Sequence, residues 1–171
     1  MALVTEDGTG LATAESYQSV ADADTYWSLR ASDPQFATWD ASSTAEKEEA
    51  LRVSTQEVDA ENSETWKGTK GSSAQALDWP RVNAFDANGY AFSSVALPIE
   101  LVSYTAERAA RYRSNILTGL IPDVDAPTGG ITREKLKAGP VELDTTYAGS
   151  ASPIKQYPKL TALLSGLVFG G

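Results

Sequence analysis

No cysteine and no histidine occur anywhere in the 171 residues of this chain. Whatever it folds into must be held by buried apolar surface and hydrogen bonds, because disulfides and imidazole or thiolate metal sites are excluded. The same absence removes Ser-His-Asp and Cys-His catalysis and leaves carboxylates, Lys, Tyr and Ser as the chemically active groups. Hydrophobic residues make up 42%, enough for a packed core, and a chain of this length suits one domain burying roughly 70% of its unfolded surface.

The carboxylates do not assemble into a site. Asp22 with Asp24, and Glu46 with Glu48 and Glu49, sit one or two residues apart on helical segments, a spacing that points side chains away from each other. Asp123-Val124-Asp125 lacks the remaining ligands of a calcium loop. Gly68-Thr69-Lys70-Gly71-Ser72-Ser73 lacks the Gly-Lys-Ser/Thr order of a phosphate loop. The chain therefore reads as a non-enzyme without metal or cofactor. Met1 to Asp7 has neither the basic region nor the apolar run of a signal peptide, and no stretch approaches the ~20 apolar residues of a membrane span, so an aqueous compartment and no membrane partner are expected.

Charge is uneven. The net charge is -9, but residues 1–66 hold 14 acids against Arg30, Lys47 and Arg52, whereas residues 67–171 hold nine acids and 11 bases. Such a chain is a poor general polyanion binder, although its second part has room for a local basic patch.

Helix signals organise the sequence as mainly α: a small bundle of about three main helices and a short C-terminal helix, with a β-hairpin or loop excursion and extended arms. Residues 1–18, with the turn Asp7-Gly8-Thr9-Gly10, read as an N-terminal arm. Ser19 with Asp22 opens a helix from 20 to about 30, whose apolar face is Val20, Ala23 and Tyr26/Trp27, and Asp33-Pro34 interrupts it. Ser43 with Glu46 forms a capping box for a helix from 44 to about 61, with Ala50, Leu51, Ser54 and Val58 inward. Its polar face carries Lys47 and Asp59. Leu97-Pro98-Ile99-Glu100 starts a third helix, 98 to about 118, with the stripe Ile99, Val102, Ala106, Ala109, Ile116 and Leu117 and with Arg108, Arg111 and Arg113 toward its end. The helical body thus spans 19–119, with an insertion at 66–97 in which Asn88-Gly89 marks a hairpin turn.

Residues 120–171 read as an extended C-terminal arm. Leu120 to Gly130 is a linker, Val141 to Thr145 alternates like a half-buried strand, and Gly149 to Pro153 is a hinge. Pro158 then starts a helix whose apolar face, with Tyr157, Leu160, Leu163, Leu164, Leu167, Val168 and Phe169, suits docking into a partner groove or closing the chain's own core. Within the insertion, Trp66, Lys67, Lys70, Trp79, Arg81, Phe85, Tyr90 and Phe92 interleave aromatic and basic groups. That pattern fits a single-strand stacking platform or, alternatively, core and interface packing.

The run Leu3-Val4-Thr5-Glu6-Asp7-Gly8-Thr9-Gly10-Leu11, then Ala14-Glu15-Ser16-Tyr17-Gln18-Ser19-Val20-Ala21-Asp22-Ala23-Asp24-Thr25-Tyr26 and Trp66-Lys67-Gly68, resembles a tailed-phage family labelled DnaT-like single-stranded DNA-binding proteins. Gln75-Ala76-Leu77-Asp78-Trp79-Pro80-Arg81, the Asp86-to-Tyr90 turn, Leu97-Pro98-Ile99-Glu100 and Gly139-Pro140-Val141 continue the match in order. In layout the family is similar to head-tail connector adaptors, small helical proteins forming a twelve-membered ring under the portal. The resemblance implies a structural virion protein at the head-tail junction, made in the host cytoplasm, with the portal protein, a stopper or tail terminator and its own copies as partners. Genomic duplex DNA would pass through such a ring without specific binding. On that reading the C-terminal residues just named dock into the portal, Trp66, Trp79, Arg81, Phe85, Tyr90 and Phe92 make ring or tail-side contacts, and Lys67, Lys70, Arg108, Arg111 and Arg113 are basic residues for DNA or an interface. The family label itself implies the alternative, a single-strand binder.

Overall fold

The computed structural model describes residues 2–114, 124–125, 134–138, 141–145 and 155–169. They fall into two compact units, Met1–Ile121 with Leu160–Gly171, and Pro122–Lys159. The fold is mainly α with small β excursions.

Four helices build the first unit, each with a chemically marked start. Ser19 caps α1 (Val20–Ser28), its Oγ accepting from the Asp22 amide at 3.1 Å. Asp33 caps α2 (Pro34–Ala41) by accepting from the Gln35 amide at 2.9 Å. The Ser43 and Glu46 capping box opens α3 (Thr44–Asn62). The Pro98 carbonyl accepts from the Leu101 and Val102 amides at the head of α4 (Ile99–Ser114). Helix α2 is absent from the sequence reading. Asp33-Pro34 ends one helix because proline disfavours helical geometry at the residue before it, but the same pair starts another, with a side-chain cap and a ring preset at the first helical position.

Helices α3 and α4 pack along each other, α2 lies on α4, and α1 touches all three. The core between them comprises Ala23, Trp27, Trp39, Ala50, Leu51, Ala109 and Ala110. The expected inward face of α3 holds: Ala50, Leu51, Ser54 and Val58 are all fully buried. Its expected polar face needs correction at Lys47, which is buried with its Nζ 2.8 Å from Asp24 Oδ1. The α4 stripe also shifts. Ile99 is 70% exposed and Val102 half-buried, while Leu101, Tyr104, Thr105, Glu107, Arg108 and Arg111 are buried with Ala106, Ala109 and Ala110. Polar residues can occupy that face because they are paired there, a condition an apolar count does not detect.

Residues 1–18, expected as an arm, are hydrogen-bonded into the first unit. The Glu6 amide donates to the Ser16 carbonyl and the Glu15 amide to that of Val4, both at 2.8 Å, and the Ala76 amide donates to the Leu11 carbonyl at 3.0 Å. The buried Glu6 carboxylate accepts from the Gly8, Gly10 and Leu11 amides. In the insertion, read as a β-hairpin or loop excursion, β1 (Thr69–Lys70) pairs antiparallel with β2 (Arg81–Val82) in a short ladder. Gly68 makes the approach possible. Its φ is +71°, and a Cβ there would lie 2.4 Å from the Val82 carbonyl oxygen. Gly68→Ala should therefore cost at least about 2 kcal/mol, from the left-handed backbone and the backbone clash together, and a urea unfolding midpoint checks it.

In the second unit β4 (Glu134–Ala138) and β5 (Val141–Thr145) pair antiparallel with Leu136 opposite Leu143, matching the strand read from alternation. Val124–Asp125, β3, pairs with Lys155–Gln156, β6. Helix α5 is Pro158–Leu164, of which Leu160 to Leu164 belong to the first unit. Ile116, Leu117, Gly119, the 120–130 linker apart from β3, and the 149–153 hinge lie outside the described residues.

Candidate interaction surface: the 66–97 excursion

The aromatics of the excursion divide into an inner and an outer set. Trp66 and Trp79 meet edge to face at 5.9 Å, and Trp79 meets Phe92 likewise at 5.8 Å, an arrangement aromatic quadrupoles favour. Trp66 is 2% exposed and Trp79 fully buried. Neither indole face is open to a base, so of the two readings of this interleaving, stacking platform or core and interface packing, Trp66 and Trp79 fit the packing.

The basic residues are likewise engaged. Arg81 is buried and spans the excursion, with Nε donating to the Lys67 carbonyl and Nη2 to that of Gly68, both at 2.8 Å, and Nη1 to that of Asp78. Burial pushes its pKa below the usual guanidinium value, against the opposing pull of Asp78. Lys67 Nζ donates to the Gly166 carbonyl at 2.8 Å, and Lys70 lies 3.3 Å from the Asp78 carboxylate. On α4, Arg108 bridges Glu57 and Glu61 at 2.8 and 2.6 Å. Burial works against its charge, yet the hydrogen bonds to Glu61 and the neighbouring charges raise its pKa overall. Arg111 pairs with the buried Glu107, and Arg113 with Glu46. None of these arginines presents the unpaired positive face expected of a phosphate contact.

The outer set is carried by a hairpin. The Phe92 amide donates to the Ala84 carbonyl and the Asp86 amide to that of Tyr90, and Gly89 takes φ +86° at the turn. Asp86 Oδ1 accepts from the Asn88 and Tyr90 amides, both at 2.8 Å, and the Tyr90 bond above all holds its carboxyl below the usual range. On this braced turn Phe85 is 49% and Tyr90 72% exposed. Val95 follows at 72%.

Beneath the excursion, a polar node joins three segments. The Tyr17 hydroxyl donates to Asp59 Oδ1 at 2.6 Å and accepts from the Asp78 and Trp79 amides at 3.0 and 3.1 Å. Asp59 Oδ2 accepts from the Asp78 amide at 3.0 Å. Burial pushes the Asp59 carboxyl up to about 6 despite the hydrogen bonds that favour its charge, and burial also raises the Tyr17 hydroxyl well above its ordinary value. Sequence reading placed Asp59 on a solvated helix face. Its only cue was position: it lies one residue beyond the inward Val58 and four beyond the buried Thr55.

The C-terminal residues separate too. Leu160, Leu164 and Leu167 are buried, Tyr157, Leu163 and Val168 are half-buried, and Phe169 is 62% exposed. Val168 bridges Trp66 antiparallel, the Lys67 amide donates to the Leu167 carbonyl at 3.0 Å, and the Phe169 amide to that of Thr65 at 2.8 Å. The three buried leucines are thus not a free apolar face in this chain. Among the described residues no three acidic side chains converge as a metal site, and no helix is long and apolar enough to cross a membrane.

The class defined by this architecture is a mainly α protein with a braced loop excursion. A family model described as "Putative DnaT-like ssDNA binding protein" matches residues 1–171. The chain belongs to that family. No curated protein and no solved structure matches it.

Proposed function

We propose that the chain is a non-catalytic structural subunit of a phage virion, a head-tail adaptor that joins its neighbours in a ring through the hairpin of residues 84–92. The observation that carries this reading is the division of the aromatics. The indoles that would stack on nucleobases are interior, whereas Phe85 and Tyr90 project from a turn whose backbone is fixed by Asp86. Rigid, exposed aromatics bury large area at low entropic cost and are enriched at protein interfaces. The ordered resemblance to the phage family, and the net charge of -9 that disfavours retention of duplex DNA in a channel, support the same reading. The partners are the portal protein, a stopper or tail terminator and further copies, and the place of action is the head-tail junction. Of the C-terminal residues, Tyr157, Leu163, Val168 and Phe169 are those with surface left for a portal groove.

Phe85→Ser combined with Tyr90→Ser should abolish assembly on purified portal while moving stability by no more than about 0.5 kcal/mol per site, as exposed positions do. Co-sedimentation with portal and a melting curve measure both. Undiminished assembly by the double variant would remove the hairpin from the interface.

The family description favours a second reading, single-strand binding, for which Phe85 and Tyr90 would be the available stacking rings. Each stacked base would contribute roughly 1 to 3 kcal/mol. Titration with labelled single-stranded DNA at low salt separates the readings: the adaptor account expects no saturable binding, whereas micromolar, salt-sensitive affinity lost in the double variant would establish the second.

A further inference from the structure

In the second unit, only Gly139 and Pro140 separate β4 from β5, and their register orders charge as well as backbone. Lys135 stands opposite Asp144, Leu136 opposite Leu143 and Lys137 opposite Glu142. Successive strand residues alternate between the two faces of a sheet. One face therefore holds both lysines on β4 and both carboxylates on β5. The other holds Leu136, Ala138, Val141 and Leu143, with Glu134 and Thr145 at its open end.

Among the described residues this sheet has two strands, so the outer edge of each pairs with none of them. A two-stranded hairpin is marginal in water by itself and is stabilised when further strands extend its apolar face. Open strand edges are templates for such pairing. Charge decides which pairing is favoured. Setting β4 against β4 of another copy would oppose lysine to lysine, and β5 against β5 would oppose Glu142 to Asp144. Like charges directly opposite each other destabilise a ladder. Setting β4 against β5 of another copy instead repeats, across the boundary, the lysine-to-carboxylate register already present inside the hairpin.

We propose that the β4–β5 hairpin is a docking element for a second copy of this chain, the outer edge of β4 adding to the outer edge of β5 in the next copy. The combined sheet stays antiparallel, because β4 and β5 alternate in direction from copy to copy. The register that keeps both charge pairs puts residue 136 of one copy opposite residue 143 of the next. Backbone hydrogen bonds along the edges supply the attraction, and the order of charges supplies the polarity. Each copy uses two different edges, so the contact is head-to-tail and propagates until rotation closes it into a ring. It uses no residue of the 84–92 hairpin and requires neither portal nor DNA. Its failure would leave the assembly reading at Phe85 and Tyr90 standing, and the reverse holds too.

Because the chain has no cysteine, single introduced thiols report this contact without background. Full-length Leu136→Cys and Leu143→Cys chains are oxidised separately and as a mixture, without portal. The mixture should give the disulfide-linked pair of one variant with the other about tenfold above either homodimer, since only that pair brings two thiols within bonding reach. Ala60→Cys, at an exposed position of α3, mixed with Leu143→Cys sets the level of random collision. The second arm reverses all four charges together, Lys135→Glu, Lys137→Glu, Glu142→Lys and Asp144→Lys, which keeps opposite charges paired inside each hairpin. With one partner reversed the disulfide yield should fall about tenfold, and with both reversed it should return. Homodimers in place of the mixed pair, a yield no higher than the Ala60→Cys level, or a yield indifferent to reversing one partner would each overturn the proposal.

Discussion

Trp79→Ala should lower the unfolding free energy by about 3 to 5 kcal/mol, the range for truncating a large buried aromatic, and the melting temperature by roughly 6 to 20 °C for a chain of this size. The ring is fully buried, and it joins Trp66 on one side to Phe92 on the other in edge-to-face contacts. Its removal leaves a cavity lined by two further aromatics, which the short β1–β2 ladder is too small to collapse. Thermal unfolding of the variant beside the unmodified chain measures the effect. The outcome separates core from surface at the residue that single-strand binding would need outermost: a change under about 1 kcal/mol would mean that Trp79 is solvent-facing in solution.

Removing residues 160–171 should be comparably damaging. Leu160, Leu164 and Leu167 are buried, and the strand-like contact of Val168 with Trp66 covers an indole that is otherwise interior. Leu167→Ala alone is expected to cost about 2 to 5 kcal/mol, since its side chain is fully buried. The whole deletion should broaden or abolish cooperative melting of the first unit, because it also strips the partners of the Lys67 amide and ammonium. Calorimetry of a chain ending at Lys159 tests this while leaving the β3–β6 pairing intact. A truncated protein that melted unchanged would return these leucines to the role of a detachable docking face.

Much of the helical body was legible because its signals are local. Ser19, the Ser43 and Glu46 box and Pro98 each act within one turn, so composition and spacing name them directly. Residues Ala50 to Val58 follow a single period, and the hairpin at Asp86 to Tyr90 is fixed by its own turn residues. What escaped depends on partners distant in sequence. Lys47 is inside because Asp24 meets it, Asp59 is half-enclosed because Tyr17 and Asp78 converge on it, and α4 buries Arg108 because Glu57 and Glu61 receive it. Trp66 and Trp79 show the same limit. The interleaving of rings with Lys67, Lys70 and Arg81 suits either a platform or a cluster, and what separates them is the burial of Trp66 and Trp79 against each other, Phe92 and the distant Val168.

The proposed role rests on the hairpin as a contact between subunits of an assembly, and electron-microscopic imaging of the purified full chain mixed with its portal protein tests it most directly. The account predicts closed rings seated on one face of the portal, with residues 84–92 at the contacts and no rings from the Phe85→Ser, Tyr90→Ser variant. Portal that remains bare under these conditions, while the same preparation coats single-stranded DNA, would contradict it.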